Sequence, residues 1–456
     1  MRTQKNTILK EFVRYVSFNV CSMVGTSCYI LADTFFVANG IGADGLTALN
    51  LAIPIFGFMT AVSIMLGIGT AAKYAILSGQ KNTREANTYF THALDMGIVI
   101  GILLAGSGQF FAHDLAALMG ADKSNIELTA VYIKTTTLFA PFFLTNNLIN
   151  AMVKNDSAPK LAMIAMLAGS FSNIILDYIF VFPLQMGMFG AALATGIAPV
   201  ISLAVLAIHI LTGKNHFHLQ KCARSIKTYS RIMFLGLSPF IIELSSSVVV
   251  LTFNMVLLKQ AGSIGVAAYG IIANLALVVT GVYNGIAQGI QPMISKRHGA
   301  EIHWEIQKII KYALTCALSL SVIMYLVIVV FRSDIINIFN KDDLETLYTL
   351  AYSGIPVYFA GIFFVGINMI CAIYFTSVER IVPASVISLM RGGVVIIPAV
   401  LLLSHFCQLH GVWASFPVTE AITAVTAGVL LIRYRVRPDG ADEKIKPTAE
   451  QNRLKK

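Results

Sequence analysis

The sequence predicts an all-α integral membrane protein, with twelve transmembrane helices in two pseudo-symmetric six-helix lobes. Three observations carry this expectation. Apolar residues make up 56% of the chain and charged residues only 12%, against about 45–50% and about 25% in soluble domains. A soluble protein of this composition would lack the polar surface to cover itself. Apolar segments of roughly 20 residues, the length that crosses a bilayer, recur along the chain with short connectors. Lys and Arg gather in every second connector.

The expected spans are 15–38, 48–72, 91–112, 128–150, 161–182, 190–212, 235–257, 266–292, 312–331, 348–374, 384–404 and 411–432. Ahead of the first, Arg2, Lys5, Lys10 and Arg14 resemble the start of a signal peptide. That segment carries Asp33 and lacks a clear small-residue cleavage site, so it is expected to stay as the first span. The chain divides into an N-terminus (1–14), an N-lobe (15–212), a linker (213–234), a C-lobe (235–432) and a basic tail (433–456). The tail is polar and expected to be disordered, and its lysines suit an anionic leaflet.

Connectors on the side of the N-terminus hold 27 Lys and Arg, counting the connector at 154–160 among them. The opposite side holds Lys123, Lys134, Lys259, Arg332 and Lys341, and Arg391 lies inside a span. Basic connectors stay inside, so both termini are expected in the cytoplasm and the protein in the inner membrane. The same alternation accounts for the net charge of +10 and excludes nucleic acid as a partner, since a basic stripe would not skip every second hydrophobic segment. Lys73 and Asp95 fall near predicted span edges, where snorkelling to the interface is the ordinary outcome.

The halves echo each other. Gly67-Ile68 recurs as Gly285-Ile286, Ala158-Pro159 as Val382-Pro383, and Gly190-Ala-Ala-Leu-Ala194 as Gly411-Val-Trp-Ala-Ser415, at offsets of 218, 224 and 221. Six spans per half is even, so the second half re-enters in the same orientation. That is a parallel repeat about the membrane normal, a transporter plan with the site between the halves.

Polar groups inside spans mark function, because the bilayer makes them expensive. Tyr29 and Asp33 in the first span, and Asn173 and Asp177 in the fifth, are each spaced i, i+4 and share a helix face. Asn146, Asn147 and Asn150 lie in the fourth span and Thr195 in the sixth. Oxygen ligands of this kind suit a hard cation such as Na⁺. Alternatively, a desolvated pair of carboxylates binds and releases a proton as a coupled unit. The second half offers Glu243, Asn284, Gln288, Gln291, Arg391 and Glu420. Arg391 needs a partner, with Glu420 or Glu243 the candidates, and an ion pair and a substrate contact are both open to it.

The six cysteines (21, 28, 222, 316, 371 and 407) contain no CxxC pair and read as reduced packing residues, with no disulfide framework or metal motif. No GxxxxGK[ST] occurs, against a built-in ATPase. No HExxH or GxSxG occurs, against an intramembrane hydrolase. A secondary transporter, not an enzyme, remains.

Tyr29-x-x-x-Asp33-Thr-Phe-Phe-Val, followed by Gly42 and Ala48-Leu-Asn-Leu-Ala-Ile-Pro54, resembles the first two helices of the multidrug and toxic compound extrusion (MATE) transporters. Asn173-Ile-Ile-Leu-Asp177 with Gly187 and Gly190-Ala-Ala-Leu-Ala-Thr195 resembles their fifth and sixth. Gly236-Leu-Ser-Pro239, Ala267-Ala-Tyr-Gly270-Ile and Arg391-Gly-Gly-Val-Val-Ile-Ile-Pro398 are similar more loosely, and the likeness spans nearly all of 10–435. The resemblance implies two six-helix lobes that open alternately, exporting amphipathic, often cationic compounds, including antibiotics, in exchange for Na⁺ or H⁺. It implies the branch with an aspartate in the first helix, no cofactor beyond the coupling ion, and a monomer in the bilayer. The cation site then falls on Asp33, Asn173, Asp177 and Thr195 with Tyr29 beside them, these four being the ligands if sodium is the ion. Asn146, Asn147, Asn150, Glu243, Gln288, Arg391 and Glu420 are the candidate cavity residues. One departure is that Val16–Cys21 holds no proline where relatives often carry one. The competing readings are a lipid-linked precursor flippase of related architecture and a membrane enzyme or receptor without transport.

Overall fold

A computed structural model describes residues 2–340 and 344–434. The tail from 435 onward and Lys341, both named above, lie outside these residues. The N-terminal half holds α1 (Arg2–Gly40), α2 (Ala43–Gly79), α3 (Thr83–Leu118), α4 (Ile126–Leu138), α5 (Ala140–Asn155), α6 (Pro159–Val181) and α7 (Gly187–Leu211). A linker carries α8 (Ile226–Leu235). The C-terminal half holds α9 (Leu237–Gly299), α10 (His303–Val330), α11 (Arg332–Phe339), α12 (Glu345–Phe359), α13 (Ile362–Ser377), α14 (Ile381–Leu389), a π turn at Met390–Val394, and α15 (Ile396–Arg433).

Eight helices are long and apolar enough to cross a membrane, or ten when each of two bent pairs is one span. The 63-residue α9 turns at Gly262 (φ 65°), and α15 turns at Gln408 (φ 50°). Dividing both there gives the twelve expected spans. Their outer faces are apolar: Phe406 is 77% exposed, Val425 69% and Leu103 66%. Such surface suits lipid rather than water. At 39 residues, α1 reaches roughly 58 Å at 1.5 Å per residue, well beyond a hydrocarbon core of about 30 Å. Its polar N-terminal turns therefore project past the core.

The repeat appears in the turns. Left-handed residues close corresponding helices at Gly42 and Gly262, Lys81 and Glu301, Ser157 and Glu379, and Gln185 and Gln408. The offsets run only from 220 to 223. Lys81, Ser157, Glu301 and Glu379 each donate back to the residue three earlier, while the next residue donates five back, as from Arg380 N–H to Phe375 O at 2.8 Å. This is the Schellman helix end, built here without glycine. The fourth and tenth spans are also broken at matching places, by 47° after Leu138 and by 45° after Phe359. Pro141 at the start of α5 and Pro356 near the end of α12 each remove a backbone donor there.

Two short helices were not expected from the hydrophobic pattern, α8 and α11. In α8 the hydroxyl of Ser225 caps the Thr228 N–H at 3.4 Å. The linker before it is tied to α3: Tyr229 donates to Asp95 at 2.6 Å and Arg224 to the same carboxylate at 3.1 Å. Asp95 is thus partnered rather than snorkelling. The cysteines differ from expectation too. All six are free, but only Cys371 is buried, while Cys21, Cys28, Cys222 and Cys407 are exposed.

The halves meet most closely at the face carrying the interlobe linker, called here the basic face. A Cβ on Gly79 of α2 would collide with the Lys296 carbonyl of α9, and one on Gly299 with the Ile76 carbonyl. Gly299→Val is therefore expected to cost about 1–3 kcal/mol of overpacking and lower the melting temperature of the purified protein. Gly106→Ala, where a Cβ meets nothing within 4 Å, serves as the control. Equal melting for the two variants would refute the close approach.

Candidate functional site

The buried stripe of α6 runs Ala162, Ala165, Gly169, Ser170, Asn173, Asp177 and Val181. Its three-and-four spacing puts Asn173 and Asp177 on the face turned into the lobe. Gly169 allows α7 to approach, since a Cβ there would press on the Ala198 carbonyl. Asp33 arrives from α1 and Thr195 from α7. Asn173 and Asp177 are fully buried, and Thr195 and Asp33 are 4% and 8% exposed.

These four side chains converge as expected. The carboxyl groups of Asp33 and Asp177 lie within hydrogen-bonding reach of each other. Oδ1 of each is buried without a donor among the described residues. With the Asn173 amide oriented to satisfy both its ends, its nitrogen donates to Asp177 Oδ2 at 3.2 Å and its oxygen accepts from the Thr195 N–H at 3.2 Å. Two carboxylates in contact repel, and only a shared proton or a cation between them removes that repulsion. Orphaned oxygens beside an amide and a hydroxyl therefore fit a small hard cation or a proton. They do not fit a soft transition metal, and no group of three or more His, Cys, Asp or Glu placed for a metal occurs among the described residues. Tyr132 of α4 also joins the cluster: it is buried, its hydroxyl meets Thr195, and it stands near both aspartates. Sequence reasoning missed it, because one tyrosine in an apolar helix carries no spacing signal.

Beside this cluster a cavity of about 310 Å³ lies between the lobes. Tyr29, Thr195, Asn146, Asn147, Asn150, Glu243, Asn284 and Gln288 all line it, with Phe56, Phe143, Met166 and Met369 supplying apolar wall. Asp33, Asn173 and Asp177 do not line it. Asn150 donates to the Ala162 carbonyl at 3.2 Å, and Asn147 to Ser63. Gln291 lies outside the cavity and donates to Ser295 at 3.2 Å. Lys154 also lines the cavity. It was counted among the connector residues, but α5 continues to Asn155 and carries Lys154 into the protein at 7% exposure. The turn signal Asn155-Asp156-Ser157 marks this end in the sequence. Arg391 is therefore not the only basic residue within a span.

Arg391 and Glu420 do not line the cavity. They pair inside the C-lobe, Nε to Oε1 at 2.9 Å and to Oε2 at 3.1 Å. Asn368 donates to Glu420 Oε2 at 2.6 Å. The π turn that holds Arg391 has room because Gly392 sits against Ser245. Of the two candidate partners, Glu420 is the one engaged.

At the basic face, Glu379 is ion-paired with Lys73 of α2 at 2.9 Å and accepts a hydrogen bond from Arg231 of α8 at 2.7 Å. Arg297 of α9 binds Glu11 of α1 at 2.6 Å. The Lys73–Glu379 and Arg297–Glu11 pairs cross from one half to the other, so Lys73 is a bridge rather than a snorkelling residue.

Two lobes of six spans around a largely apolar cavity studded with polar groups, with a buried carboxyl pair alongside, define a polytopic membrane transporter rather than an enzyme. The MatE family profile matches residues 20–179 and 239–401. The chain belongs to the MatE family. It is 23% identical over 439 residues to the multidrug export protein MepA of Staphylococcus aureus strain N315, covering 95% of each chain. It is equally identical over 446 residues to MepA of Staphylococcus saprophyticus, covering 96% of this chain and 97% of that one. An outward-facing multidrug resistance MATE transporter of the MOP superfamily superposes with a TM-score of 0.87 at 22% identity, over 92% of this chain and 94% of that one. A MOP superfamily transporter from Pyrococcus furiosus, described as having a binding pocket of reverse polarity, superposes at 0.86 with the same identity and coverage.

Glu379 lies outside the spans. Burial pushes its carboxyl up, but Lys73 and Arg231 outweigh this and hold it below the ordinary 4.5. A carboxyl held low stabilises the folded contact above its unfolded value and loses that as pH falls through the lowered one. The bridge is therefore expected intact at neutral pH and lost only in acid below 4.5. Glu379→Gln removes it at neutral pH, at a cost of about 1 kcal/mol after discounting the half-exposed Arg231. Spin labels at the ends of α2 and α13 should then report a wider separation. An unchanged distance distribution would count against a bridging role.

Proposed function

We propose that this protein is a cation-coupled antiporter that exports amphipathic compounds, often cationic and including antibiotics, across the cytoplasmic membrane by alternating access. The observation that carries the proposal is the contact between Asp33 and Asp177, each with a buried oxygen that no donor reaches. The names of the MepA relatives support the substrate class. The basic face is the cytoplasmic one, both termini lie there, and a monomer is the working unit.

In this reading Na⁺ or H⁺ enters from outside and binds at Asp33 and Asp177, with Asn173 and Thr195 completing the ligand set if the ion is sodium. Binding favours the state that releases drug outward, and discharge to the cytoplasm resets the cycle. An ion shifts such an equilibrium only by its differential affinity for the two states. The carboxyl pair must therefore be less well matched to the ion once the lobes part at the basic face. The flippase reading is weaker. A pyrophosphate carrier needs a strongly cationic cavity, and Lys154 is the one lysine or arginine lining this cavity among the described residues.

Purified protein in liposomes, loaded with ethidium and given an imposed Na⁺ gradient or an imposed pH gradient one at a time, tests this. Efflux is expected under at least one gradient. Asp33→Asn and Asp177→Asn are each expected to reduce ion-driven efflux at least about tenfold, the loss of one strong charged contact, while the protein still inserts. Wild-type efflux by either variant would sink the assignment.

A further inference from the structure

Lys154 has no acidic partner. Its Nζ donates to Gln288 Oε1 at 3.2 Å, and no carboxylate makes an ion pair with it among the described residues. The nearest acid in sequence, Asp156, is taken by His209 at 3.1 Å and by the His216 N–H at 2.8 Å. An ammonium has three donors, and this one spends a single one on a neutral amide. Burying a lone charge costs several kcal/mol unless something compensates it. The side chain is 7% exposed, and what exposure remains opens into the cavity it lines. An anionic occupant of the cavity would supply the missing charge.

The surroundings are built to the same end. Gln288 meets Met23 sulfur at 3.9 Å through Nε2, a weak acceptor, so its N–H groups remain available to a stronger one. The wall is apolar around Ile64 and Ile68, with Phe56 and Phe143 further along. Glu243 lines the same cavity and stands near Tyr29. The cavity thus joins a basic pole, an apolar body and an acidic pole.

We propose that the Lys154–Gln288 pole is an anion-binding subsite, and that the cavity takes amphipathic carboxylic acids: an apolar or aromatic body with one carboxylate seated on Lys154 Nζ and Gln288 Nε2. The proposal rests on the exporter reading and deepens it. It departs from a purely cationic substrate class, because a simple lipophilic cation leaves Lys154 uncompensated. Gln288 belongs to α9 and Lys154 to α5, so an anion seated there touches both lobes.

The test compares dansyl-phenylalanine, its methyl ester and ethidium, binding to the full-length protein in lipid nanodiscs, with empty nanodiscs subtracted. The acid and the ester differ in the carboxylate charge and by one methyl group, which on its own would favour the ester in an apolar pocket. The acid is expected to bind at least about tenfold tighter than the ester, as a charged hydrogen bond provides. Lys154→Gln collapses that ratio to about one, and Lys154→Arg keeps it well above one. Equal affinities of acid and ester for the wild type overturn the proposal, as does a Lys154→Gln variant that weakens both alike and leaves the ratio intact. If the wild type binds ethidium but shows no preference for the acid, the anion subsite alone fails. If a monodisperse wild type binds none of the three, the multidrug reading fails with it.

Discussion

Every charge inside this protein must be compensated by the protein or by what the protein binds, because lipid supplies no water to do it. At Arg391 the C-lobe meets that constraint internally: Arg391, Glu420 and Asn368 share hydrogen bonds of 2.6 to 3.1 Å. The N-lobe does not. Asp33 and Asp177 face each other, two groups of like sign with orphaned oxygens. Lys154, between the lobes, has only a neutral amide. Breaking a buried pair by removing one partner costs about 3–5 kcal/mol, and these sites are arranged as though a partner were always missing. A structural scaffold has no reason to keep such sites; they suit the carrier of ions and charged solutes proposed above.

The backbone repeat makes this asymmetry sharper. Turn residues recur at offsets of 220 to 223, so Asp33 corresponds to Phe253 and Asp177 to Ala399, with no acid within two residues of either. The halves share an architecture but not a chemistry. Phe253 is fully buried in the C-lobe core and stacks on Tyr269. Where one lobe has packing, the other has a polar cluster that packing would not require.

The spans were legible in the sequence because length and apolarity alone decide them, and the pairing of Tyr29 with Asp33 and Asn173 with Asp177 follows from helical spacing. Their mutual contact was legible only as a convergence, since the lateral arrangement of α1 and α6 depends on packing at glycines such as Gly169. Lys154 was misread because hydropathy ends a helix where charge begins, whereas the backbone continues until Asn155 and Ser157 stop it. Glu379 gave no signal at all. Its role comes from a turn in one lobe meeting α2 of the other, a contact between residues 306 positions apart. Long-range ion pairs of this kind have no local signature.

The ion cluster and the cavity are separate, yet two side chains belong to both. Thr195 lines the cavity and lies beside Asn173, and Tyr29 lines it while standing near Asp33 and Asp177. Each is on a helix that also carries the lobe's packing, so neither can move without its neighbours, interiors being close-packed. An ion that draws Asp33 and Asp177 together must act on α1 and α6. Tyr29, one turn from Asp33 on α1, then moves with the carboxylate it flanks. The proposed coupling therefore needs no long relay: an ion bound at the carboxyl pair would act on the cavity wall through one helical turn, and the cavity wall is where a bound solute would feel it.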